Sequence, residues 1–93
     1  MAINLGDGPA IKAALRDFIT ETFLPSAGMD SFSDEDSFME TGIIDSTGVL
    51  ELLEFLEETF AIQVEDEEVV PSNLDSLNKL EAFILRKNAD AGA

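Results

Sequence analysis

The sequence predicts an all-α protein: a small four-helix bundle of three main helices and one short helix, with a long first connection. Three observations predict this. Apolar residues recur at helical spacing in three separate stretches. No run alternates apolar and polar residues as a half-buried strand would. Pro25 and Pro71 fall outside the periodic stretches rather than within them.

Residues 1–8 contain Gly6 and Gly8 and are expected to be flexible, ahead of a single folded domain over residues 9–88. Pro9 suits a first helical turn, where its missing N–H would be unpaired in any case. From there Ile11, Ala14, Leu15, Phe18 and Ile19 recur at helical spacing, giving a first helix that ends near Phe23, before Pro25. Residues 25–45 hold no sustained period. A connection of about 20 residues in a compact domain is usually functional or pinned by its own side chains. Phe32, Phe38, Met39, Ile43 and Ile44 are the expected pins, and Ser33 with Asp36 could cap one helical turn among them.

The second helix, over residues 46–60, carries the clearest period. At roughly 100° per residue, Val49, Leu52, Leu53, Leu56 and Phe60 form one stripe, Glu51, Glu54 and Glu58 face the other way, and Leu50 and Phe55 lie on the flanks. Glu65, Asp66, Glu67 and Glu68 then lead into Val69, Val70 and Pro71. Only a short helix fits there, because Pro71 breaks the hydrogen-bond ladder and biases Val70 towards extended backbone. Asn73 is the expected cap of the last helix. Its buried stripe is Leu74, Leu77, Leu80, Phe83 and Ile84, and Arg86 and Lys87 sit at the negative end of its dipole. Residues 89–93 are expected to be a flexible tail.

A chain of 93 residues buries one modest core and is too small for a deep cleft between lobes, so any chemistry is expected at the surface. Its hydrophobic content of 45%, with seven Phe, means that the acidity does not signal disorder. The balance of 20 acidic against 5 basic residues, net −15, repels phosphate backbones and anionic lipid while steering basic protein partners inward. Neither nucleic acid nor membrane is an expected partner. Without Cys or His the chain has no thiol nucleophile, no imidazole base and none of the usual zinc ligands. Any thiol chemistry would need an imported thiol. The N-terminal residues do not read as a secretory or transit peptide, and no run approaches the roughly 18 apolar residues of a membrane span, which leaves a cytoplasmic location as the expectation.

The chemistry is concentrated at the head of the second helix. In "TGIIDSTGVLELLEFLEETF", residues 41–60, Asp45 and Ser46 are both favoured N-caps. By itself the pair says only that Asp45 accepts bonds from the amides of Thr47 or Gly48 while Ser46 starts the helix. The surroundings add a pattern: Phe38 and Met39, a turn at Gly42, Asp45-Ser46, "VLELLEFLEETF" ending in Phe60, an acidic "VEDEEVV" and a final amphipathic helix. In this order the features resemble the acyl carrier protein family over residues 9–88, most specifically over residues 38–60.

The resemblance implies an acyl carrier protein-like helical bundle. It also implies that Ser46 receives 4'-phosphopantetheine from coenzyme A through a separate phosphopantetheinyl transferase, with Asp45 as a flanking recognition residue. Acyl or aminoacyl groups would then be held as thioesters on the arm. The further partners implied are a loading, adenylating enzyme and the acyl-processing enzymes of a fatty-acid, polyketide, nonribosomal-peptide or related pathway. The carrier itself would be a monomer and not an enzyme. Thr47, Leu50, Glu51, Glu54, Glu57 and Glu58 would form its partner surface. The family most often has an apolar residue after the serine, whereas Thr47 and Gly48 here form a pairing associated with freestanding carriers of specialised pathways. The interior of such carriers can open to shelter a fatty acyl chain, which Phe55, standing where a smaller residue is common, would restrict.

Other readings of the same residues are plainer. The α-helical glutamates suit a solvated face. The alternative function, from a different class, is an acidic helical adaptor or nucleic-acid mimic that binds a basic protein without a prosthetic group. A calcium loop is excluded: in "DSFSDEDSFMET" the EF-hand pattern meets Phe32 at its second ligand, Glu35 in place of its glycine and Thr41 in place of its bidentate glutamate. No nucleophile has a base beside it and no pocket is expected, which disfavours an enzyme.

Overall fold

The structure, a computed structural model, describes residues 8–92, with side chains to residue 88. Every regular element in it is helical. Three long helices, α1 (Gly8–Thr22), α4 (Gly48–Phe60) and α6 (Leu77–Gly92), are joined through the short helices α2 (Leu24–Ala27), α3 (Phe38–Thr41) and α5 (Pro71–Leu74) and a 3-10 turn at Asp66–Glu68. The expected bundle is present, but it has four short helical pieces where one was expected. The flexible start expected before Pro9 lies outside the described residues except for Gly8, which begins α1. The last helix runs on to Gly92, beyond the point where a tail was expected.

The long helices meet through the stripes that their period marks out. Ile11, Leu15 and Ile19 of α1 are fully buried, as are Leu77, Leu80 and Ile84 of α6, and Leu52, Leu56 and Phe60 of α4 close the core between them. Each such side chain removed from water contributes about 1.5–3 kcal/mol. Val49 and Leu53 are only half-buried, so the α4 stripe is narrower than expected. Phe55 stacks on Phe18 of α1 with ring centroids 4.0 Å apart.

The long connection is ordered by its own side chains and by two cations of α1. Phe32, Phe38, Ile43 and Ile44 are buried as expected, whereas Met39, expected among them, is 58% exposed. It sits one residue after Phe38 on a four-residue helix, so it faces away from the core that Phe38 enters. Arg16 donates to the Phe32 carbonyl at 2.8 Å, lies over the Phe32 ring and pairs with Asp34, which Lys12 also holds at 3.2 Å. Ser33 and Asp36 form a local turn rather than a helix cap. Ser37 caps instead: its Oγ accepts the Glu40 N–H at 3.1 Å and starts α3.

The cap of the last helix is also reassigned. Ser76 Oγ accepts the Lys79 N–H at 3.1 Å and so starts α6. Asn73, the expected cap, donates to the Glu68 carbonyl at 2.9 Å and accepts from Arg86 at 2.7 Å. Both residue types cap well, and the position of Pro71 decides between them: α5 is only Pro71–Leu74, and the chain needs a second start after it.

Candidate functional site

Helix α4 begins at Gly48, two residues later than expected, and Asp45 is the residue that caps it. Asp45 Oδ1 accepts the Gly48 N–H at 2.7 Å, and the Asp45 carbonyl accepts the Val49 N–H at 3.1 Å. This division of labour leaves Ser46 free. Its side chain is exposed, and neither its hydroxyl nor the amides of Ser46 and Thr47 have a hydrogen-bond partner among the described residues. An exposed hydroxyl beside unpaired amides at the positive end of a 13-residue helix can take a phosphoryl substituent without burying it or breaking a bond.

Gly48 has a role that the sequence does not disclose. It is buried, and a β-carbon there would lie 2.9 Å from Cε1 of Phe23 and 3.1 Å from Cγ2 of Ile44. The missing side chain lets α4 start directly against the end of α1.

Ser46 stands on the rim of an apolar groove of about 330 Å³ lined mainly by Phe38, Met39, Ile44, Val49, Leu52 and the Val69–Leu74 stretch. No pocket was expected, and this one corrects that expectation. It exists because α3 and α5 are too short to cover α4 completely, leaving the half-buried Val49 and the exposed Met39 and Val70 along an open seam. Its volume is at the small end of the range for ligand sites.

The residues expected to meet partners, Thr47, Leu50, Glu51, Glu54, Glu57 and Glu58, are all exposed, and among the described residues Leu50 is the most exposed large apolar one at 67%. The structure brings them to one side of α4. Glu57 also has an internal task, accepting the Val64 N–H at 3.0 Å and so holding the chain after the helix. The ion pairs among the described residues join Lys12 to Asp34 and Glu81, Arg16 to Asp34, and Lys87 to Glu68, so no cation offsets the carboxylates of α4. The residues that sequence reasoning missed are Asp75, Val69, Val70 and Pro71 on the groove. Nothing in their local pattern signals a wall, because the groove depends on which short helices face each other.

No model of a known protein family matches the chain, and no curated protein matches it. Among the described residues no helix is long and apolar enough to cross a membrane.

Proposed function

We propose that the protein is a carrier, modified on Ser46 with 4'-phosphopantetheine by a separate transferase and delivering acyl or aminoacyl groups to partner enzymes. The single observation that carries this is the state of Ser46: an exposed hydroxyl with no hydrogen-bond partner, set between Asp45, which does the capping, and an apolar groove. The arm supplies the thiol that the chain lacks. The residues fit such a group, since attachment at Ser46 Oγ costs the fold no hydrogen bond and places the new phosphodiester beside two unpaired amides. In the transfer, the Ser46 hydroxyl oxygen attacks the pyrophosphate phosphorus next to pantetheine in coenzyme A. The new O–P bond forms as 3',5'-ADP leaves, and the hydroxyl proton passes to a base of the transferase.

The uncompensated carboxylates of α4 suit a basic partner, whose approach they would accelerate more than they would tighten the complex. The groove beside Ser46 suits the apolar part of whatever the arm holds. The test is to incubate the protein with coenzyme A and a promiscuous transferase and to weigh it. Addition of one phosphopantetheine to the wild type and none to Ser46→Ala, with the melting of the two within about 0.5 kcal/mol, supports the proposal. An acidic adaptor without a prosthetic group gains no mass in either form.

A further inference from the structure

We infer that Asp75 sets the size of the apolar group that the groove accepts, by tying its two side walls together at one point. The inference rests on the carrier assignment. The groove has α4 as its floor, α3 on one side and the Val69–Leu74 stretch on the other. Among the described residues, every hydrogen bond that joins the two sides goes to Asp75. Its carbonyl accepts the Phe38 N–H at 2.9 Å, its Oδ1 accepts the Met39 N–H at 3.0 Å and its Oδ2 accepts the Ser37 hydroxyl. Among the described residues no other hydrogen bond or ion pair links residues 37–46 to residues 62–75.

Three bonds to one residue make a clasp where α3 begins and α5 ends. From the clasp one wall runs through Phe38, whose carbonyl accepts the Ile44 N–H at 3.3 Å, to Ser46 two residues further on. The walls elsewhere are held only by apolar contact, with Met39 and Val70 exposed on opposite sides. Apolar contact is non-directional, so these parts can separate to admit a guest, whereas the clasped part cannot without breaking directed bonds. Asp75 is therefore a positioning residue: it touches no reacting atom and limits how far the walls part.

The experiment loads Ser46, using the transferase, with straight-chain acyl groups of increasing length from the corresponding acyl-coenzyme A compounds. The lifetime of each thioester in hydroxylamine is then measured. In the wild type the lifetime rises by about fourfold for each methylene that the groove takes up and then levels off at a ceiling. Asp75→Ala moves the ceiling to longer chains. Asp75→Asn, which keeps an acceptor for Met39 and a donor for the Ser37 hydroxyl, keeps the wild-type ceiling. Coincident profiles for wild type and Asp75→Ala overturn the inference and leave the carrier assignment standing, whereas absence of any mass gain on Ser46 overturns both. Should Asp75→Ala not fold, amide exchange of the loaded wild type decides. The Phe38 and Met39 amides stay protected with every cargo if the clasp holds, and exchange as fast as exposed loop amides with long cargo if it does not.

Discussion

The ring of Phe23 lies so close beneath Gly48 that a β-carbon on Gly48 would approach its Cε1 to 2.9 Å. Helix propensity alone favours alanine over glycine by about 1 kcal/mol in a helix interior. Here overpacking opposes it, at about 1–3 kcal/mol. Gly48→Ala is expected to lower the urea midpoint, and Phe23→Leu in the same chain to recover part of the loss. A Gly48→Ala protein more stable than the wild type would show that the ring moves aside freely.

Asp34 makes part of the stability depend on acid. The hydrogen bond from Lys12, with help from Arg16, holds its carboxyl below the usual value; Glu68 is likewise held low by the Glu65 N–H and then by Lys87. A lowered folded pKa favours the fold when the group is ionised. The contribution is fully present above the unfolded carboxylate value of about 4 and is lost as pH falls through the folded value. The urea-midpoint gap between wild type and Asp34→Asn should be widest near neutrality and narrow below about pH 4. A gap that stays constant with pH would mean that the ion pairs do not stabilise the connection.

Glu51 and Glu54 are exposed and lack cation partners, so they are expected to guide a basic transferase. Changing both to Lys should slow modification of Ser46 by about tenfold in dilute buffer, where the Debye length is about 30 Å, and by less than about twofold in 1 M salt. Stopped-flow or quenched mass measurements would read this. Equal slowing at both salt levels would place the effect in direct contact instead.

Ala61 ends α4 in the left-handed region, with φ 55°, as the only residue other than glycine with positive φ among those described. An L-residue there costs about 1–2 kcal/mol. Ala61→Gly should stabilise the protein by about 1 kcal/mol, after allowance for the extra chain entropy of glycine. No gain in melting temperature would mean that the Ala61 methyl contributes packing that offsets the strain.

The elements legible in the sequence are those whose signal is local and repeated. The α4 stripe from Leu52 to Phe60 and the α1 stripe from Ile11 to Ile19 announce themselves through period alone, because a helix buries every third or fourth residue whatever it packs against. Ser46 was legible as a candidate through its neighbours in sequence. The exposure of Met39, the start of α3 and the fastening of the connection are not legible, because they depend on partners far along the chain: Asp75 for α3, Lys12 and Arg16 for the connection. Asn73 and Ser76 are both good caps three residues apart, and local pattern alone does not choose between them.

By itself the sequence determined that the protein is helical, where its three long helices lie and which serine heads the acidic one, since these follow from periodicity, capping chemistry and charge within a few turns of chain. Only the tertiary structure decided that Gly48 yields its space to Phe23 and that α3 and α5 leave an open groove fastened at Asp75. Those outcomes require residues about 25 to 40 positions apart to meet. Short-range pattern carries no record of such meetings, because the cost of ordering the intervening chain is met by the whole core at once.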